Sequence, residues 1–297
     1  MGALLCIVSA AAFGTMAIFG KLAYEQDVGV GDLLLVRFAI ATTILLAIAH
    51  ARGALSGLSR RSALMALAMG AIGYATQAGL FFSALERMDA SLLALILYTY
   101  PVLVCAAAIA LGRERISARR IGGLLAATAG AALVLAGAAS GSFDTLATLM
   151  GFGAALAYTT YILVGDRIVA GIPLLALAAL VCTGATVTFA LAAFVLRGGP
   201  ELGFGAAGFG WIGAIALVST VVAILTFFAG LERVGPSAAA ILSVFEPVVT
   251  VALAAVVFGD SLTAIQLLGG ALVLLAVVVV QWPAGRGDAA GEALAPA

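Results

Sequence analysis

One acidic residue and a set of tyrosines carry most of the chemistry available to this chain. Glu246 stands ten residues into an apolar stretch that begins at Pro236, so a helix rising 1.5 Å per residue would carry it about 15 Å deep in a membrane. A carboxylate there costs at least a few kcal/mol unless it is protonated, paired or facing water. It is a candidate to bind a substrate ammonium group or to exchange a proton, and the plainer reading is a protonated side chain hydrogen-bonding between helices. Tyr98 and Tyr100 precede Pro101, Tyr74 and Gln77 lie one apolar stretch earlier, and Tyr158 and Tyr161 fall in a later one. Tyrosine offers an apolar ring and a hydroxyl that needs a partner when buried. Clustered, such side chains suit a zwitterionic or aromatic solute; packing between helices is the alternative for any one of them. Thr15, Thr160 and Ser243 are further candidates to line the same space, although hydroxyls in helices commonly bond back to their own carbonyls.

Pro101 and Pro247 interrupt apolar stretches. Each removes a helical hydrogen bond and frees a carbonyl, of Leu97 and Ser243. They are expected to act as hinges, with backbone ligation of solute or a static kink as the alternatives. Lys21 and Arg37 fall near the ends of the first two apolar stretches. The expectation is a pair of snorkelling anchors at the outer membrane edge, paired with Glu25 or Asp32, and the alternative is a role in guiding an anion.

These residues belong to a chain written twice. Phe81, Phe82, Leu85, Glu86 and Arg87 recur as Phe227, Phe228, Leu231, Glu232 and Arg233, and Ser91, Pro101 and Gly123 recur as Ser237, Pro247 and Gly269. Ala12-Phe13-Gly14-Thr15 is echoed more weakly by Ala157-Tyr158-Thr159-Thr160. Within the strong part of the repeat, Tyr100 stands where the second copy has Glu246.

Hydrophobic residues make up 64% of the chain and charged ones 9%, with a mean hydropathy of +1.24. Soluble proteins carry about 25% charged residues, so an aqueous fold is excluded. Breaks at charges, glycines and prolines mark ten spans, near 2–20, 32–49, 63–85, 90–111, 120–138, 146–165, 172–196, 210–231, 236–258 and 262–282. The expected fold is all-α and integral to the membrane: residues 1–139 form one five-helix repeat, 140–282 the second, and 283–297 a disordered cytoplasmic tail. Arginines concentrate in alternate loops, which places both termini in the cytoplasm. An odd number of spans per repeat makes the second copy inverted, and inverted repeats in transporters hold the substrate near the midplane.

No basic patch points to nucleic acid. The chain has one histidine, His50, no zinc-protease or nucleophile-elbow motif and no ATP-binding loop, so an enzyme or an ATP-driven pump is not expected. Cys6, Cys105 and Cys182 lie in apolar runs and read as buried thiols. No metal and no cofactor is expected. Gly122, Ala126 and Gly130, with Gly269 and Gly270, form small-residue faces that pack either within the chain or across a homodimer, so the chain is expected to be a monomer or a homodimer.

The Leu-Glu-Arg turns before Ser91 and Ser237, the paired prolines, and the "LGRERISARRIGG" and "FGDSLTAIQLLGG" junctions resemble the drug/metabolite transporter superfamily, specifically its EamA-type permeases. Gly259-Asp260 departs from that pattern, which usually has Gly-Glu. The resemblance implies a carrier in the bacterial inner membrane, often an exporter of amino acids, with a central cavity lined by the first four helices of each half. By the same resemblance, Tyr98, Tyr100, Tyr161 and Gln77 match places where aromatic-amino-acid exporters line that cavity. The function expected is secondary transport of neutral or aromatic amino acids. Carriage of a nucleoside, amine, sugar or drug-like solute, or a non-transporting scaffold or sensor, are the alternatives.

Overall fold

Mid-span prolines decide the local architecture. In the computed structural model, which describes residues 1–85, 87, 93, 96–112, 118–136, 144–169, 172–258 and 263–281, the described residues are helical apart from short turns and loops. Several expectations lie outside them: the tail from Pro283, the repeat boundary near 139, most of the first part of the fourth span with Ser91, Glu86, the Gly259-Asp260 junction, and Trp282.

The first three spans begin with α1 (Gly2–Tyr24) and α2 (Val30–Ala51). The third opens as α3 (Arg60–Ala68), loosens into a π-helical turn at Met69–Tyr74 and continues as α4 (Ala75–Leu85). After α5 (Tyr100–Ala110) and α6 (Ala118–Ala136) come α7 (Thr145–Val169) and α8 (Leu174–Arg197). A second helix then loosens in the same way, α9 (Ala206–Ala216) passing through a π turn at Leu217–Val222 into α10 (Ala223–Val234). The chain closes with α11 (Pro236–Ser243), α12 (Glu246–Phe258) and α13 (Ala264–Gln281). Among the described residues, seven helical stretches are long and apolar enough to cross a membrane, and two shorter apolar helices, Tyr100–Ala110 and Ile121–Leu133, accompany them. This is a multi-pass membrane protein.

The two parts of the chain interleave. α1 packs on α9, α10 and α12, while α7 packs on α4 and α5; α2 packs on α8, and α6 on α13. Close approach needs glycine where α8 crosses the third span. A Cβ on Gly70 would collide with the backbone carbonyl of Val181, and one on Gly184 with that of Leu67, so α8 lies directly against the third span. The small-residue face of α6 meets its partner inside the chain: a Cβ on Gly130 would come within 2.7 Å of the carbonyl oxygen of Gly269, whereas Gly122 faces open space.

One ion pair ties α2 to α8. Arg197 donates to both oxygens of Asp32, at 2.9 and 3.0 Å, and the Glu201 backbone N–H adds a third bond at 3.2 Å. Asp32 therefore pairs with Arg197. At the start of α7, Asp144 caps the helix by accepting from the Ala147 N–H at 3.0 Å, and Arg87 donates to the same carboxylate at 3.3 Å. The capping bond first, and then the Arg87 charge, hold the Asp144 carboxyl below the ordinary range. All three cysteines are buried, and none forms a disulfide with another.

Candidate functional site

The site begins where two helices break. Pro101 cannot donate to residue 97 and its ring crowds that carbonyl, so the helix ends in a tight turn, Thr99 N–H to Ile96 O at 3.2 Å, and restarts at Tyr100. Pro247 does the same 146 residues later: Val244 and Phe245 donate to Ile241 and Leu242, both at 3.2 Å, and α12 restarts at Glu246. The restart puts a helix N-terminus partway along the span, with N–H groups that lack intrahelical partners. Glu246 occupies the first position of α12, where those groups and the helix dipole favour a carboxylate. The Tyr98 hydroxyl lies in hydrogen-bonding reach of it.

α1 holds this turn closely. A Cβ on Gly14 would sit 2.9 Å from the Glu246 carbonyl oxygen, and Thr250 donates to the Gly14 carbonyl at 3.0 Å. Glycine is required at position 14 so that backbone can pass over backbone. Next to it, Thr15 bonds the buried Ser219 at 2.8 Å, joining α1 to the second π turn.

Five of the six tyrosines form one chain of rings. Tyr74 meets Tyr161 at 5.5 Å between centroids, Tyr161 meets Tyr158 at 6.3 Å, Tyr158 meets Tyr100 at 4.6 Å, and Tyr100 meets Tyr98 at 6.1 Å. The rings come from the third, fourth and sixth apolar stretches, so both copies of the repeat contribute. Tyr158 and Tyr161 are three apart on α7 and share a face; Tyr74 ends the first π turn. Tyr100, 1% exposed, donates to the Ala240 carbonyl at 3.5 Å and lies in reach of the Ser243 hydroxyl, which itself donates to Ala239.

Arg37 stands at the other end of the chain. It is 1% exposed and eight positions into α2, so its side chain is enclosed among helices, whereas a snorkelling anchor would expose its tip. One terminal nitrogen donates to the Met16 sulfur at 3.1 Å and the other to the Tyr74 hydroxyl at 3.2 Å, while Nε–H has no acceptor. The guanidinium lies 4.4 Å from the centre of the Phe38 ring. Arg37, the five tyrosines and Glu246 thus make a continuous path from a buried cation to a half-buried carboxylate.

Other expected residues fall elsewhere. Thr160 is exposed and donates to Leu156 of its own helix, because one residue is 100° of helix and the buried neighbours Thr159 and Tyr161 face inward. Lys21 is exposed in the last turn of α1. Gln77 is half-buried, one turn beyond Tyr74. Sequence reasoning missed Ser219, Gly14 as a point of backbone contact, and the interior position of Arg37. A helix beginning at Val30 and not at Asp32 would have signalled the last of these.

A family profile described as the EamA-like transporter family matches residues 1–136 and 145–282. No curated protein matches. Among solved structures, one titled "Crystal structure of protein" aligns with a TM-score of 0.83 at 21% identity, covering 95% of this chain and 99% of its own. That likeness shows a shared fold.

Proposed function

The chain belongs to the EamA-like transporter family, and on that premise we propose that it is a secondary carrier exporting or exchanging neutral or aromatic amino acids across the bacterial inner membrane. Membership makes it a membrane transporter of small solutes. The finer reading has ten spans in two inverted five-helix repeats, both termini cytoplasmic, and alternating access at the interface of the repeats. In its favour, the family matches in two successive pieces, and each piece carries a π turn in one span and a proline break in a later one.

The observation that carries the substrate reading is the tyrosine chain, drawn from both repeats and ending on Glu246. Its rings give an apolar wall for an aromatic or aliphatic side chain. Glu246 takes the solute's ammonium group, or a proton when no solute is bound, and the breaks at Pro101 and Pro247 supply the hinges. π turns near functional sites are common, and here one bears Tyr74 and the other Ser219. Counterflow in proteoliposomes tests the proposal: vesicles preloaded with an unlabelled solute are given labelled solute outside, using neutral amino acids, nucleosides, amines and sugars in turn. Saturable accumulation of neutral or aromatic amino acids is expected. Accumulation of another class alone would refute the substrate assignment, and none with any class would refute transport by this route.

A further inference from the structure

Arg37 lacks what a buried guanidinium needs. It has five N–H donors and no acceptor of its own, and a charge at that depth is costly unless it is paired. Its two partners are a thioether, a weak acceptor, and a neutral phenol; Nε–H has none. The nearby acids are engaged elsewhere: Asp32 by both nitrogens of Arg197, and Glu246 by Tyr98. Among the described residues no carboxylate pairs with Arg37. We infer that Arg37 is the anion receptor of the transport site and that its fork takes the carboxylate of the solute, displacing Met16 and the Tyr74 hydroxyl. The inference rests on the carrier reading for the presence of a solute there.

The ligand class follows from charge and surroundings. One cation matches a monocarboxylate; a phosphate dianion would call for more, and Lys21 is out at the end of α1. Planar bidentate donors fit carboxylate oxygens. The rings of Phe38, Tyr74 and Tyr161, together with Phe189 stacked on Phe38 at 5.7 Å, favour an apolar or aromatic body attached to it.

The test is binding to the purified full-length protein in detergent, read as thermal stabilisation over a concentration series. The probes are 3-phenylpropionate and its neutral amide, 3-phenylpropionamide, two solutes of one shape. In wild type the acid should bind at least roughly tenfold more tightly than the amide, one charge-assisted pair being worth that much or more. Arg37→Gln should remove the preference and Arg37→Lys should keep part of it. Equal binding of acid and amide by wild type, or a preference that survives Arg37→Gln, would overturn the assignment. Should Arg37→Gln fail to fold, the acid-to-amide ratio in wild type and in Arg37→Lys still decides. Absence of any binding also overturns it. If the acid binds as expected while no amino acid shows counterflow, the amino-acid carrier reading fails and Arg37 as a carboxylate receptor stands.

Discussion

Arg197→Gln should cost more than Asp32→Asn, although the two residues share one ion pair. The Asp32 side chain is 3% exposed and the Arg197 side chain 36%. Removing the Asp32 charge leaves an arginine that turns to water, so the loss is that of two charge-assisted hydrogen bonds less rehydration, about 1–2 kcal/mol. Removing Arg197 leaves a carboxylate sealed at the head of α2 with only the Glu201 N–H, about 3 kcal/mol or more. The double variant has no stranded charge and should lose less than the two singles together, giving a coupling of about 1–2 kcal/mol. In thermal unfolding of detergent-purified protein, at roughly 2 °C per kcal/mol for a chain of this size, Asp32→Asn falls by about 2–4 °C and Arg197→Gln by about 6 °C. Equal losses, or strictly additive ones, would show that the pair is solvated and that its burial has been misjudged.

Glu246→Gln should remove the response of transport to an imposed pH gradient and leave exchange of bound solute in place; an unchanged pH response in the variant would exclude Glu246 as the proton-handling group. Gly184→Ala drives a methyl into the Leu67 carbonyl, and backbone cannot give way as a side chain can, so a loss near or above about 3 kcal/mol is expected. Gly213→Ala, with nothing within 4 Å of the added carbon, should melt close to wild type; similar melting of the two variants would contradict the close crossing of α8 and the third span. Asp144→Ala should destabilise α7 at neutral pH. Because the Asp144 carboxyl is held below its ordinary range, its stabilisation is present above the unfolded-state value of about 4 and lost as pH falls through the lower folded value. Melting curves of wild type and variant should therefore converge in acid, and a constant gap down to low pH would count against the cap.

What could be read in advance followed from residue type and local spacing. The repeat was visible because Phe, Leu-Glu-Arg and Pro recur at one offset, and the helix breaks were visible because proline has no N–H to give. The depth of Glu246 needed only the rise of a helix. The side on which a residue faces was less legible. Thr160 is one position from the inward Tyr161 and faces out, and Asp32 and Arg37, whose charges suggest a membrane edge, are both enclosed in the protein. Asp32 is instead buried against Arg197, 165 residues away, and a pairing at that separation leaves no local mark. The packing of α1 on α12 likewise depends on a glycine contact, Gly14 over Glu246, which is set by the meeting of two helices and not by either sequence alone.

In the proposed carrier the solute lies along the ring chain between Arg37 and Glu246. Counterflow of labelled phenylalanine and labelled alanine by wild type and Tyr100→Ala tests it most directly, since Tyr100 meets both Tyr98 and Tyr158 and stands where the helix restarts after its break. A larger loss for phenylalanine than for alanine is predicted; equal loss for both would make the tyrosines packing residues and contradict the account.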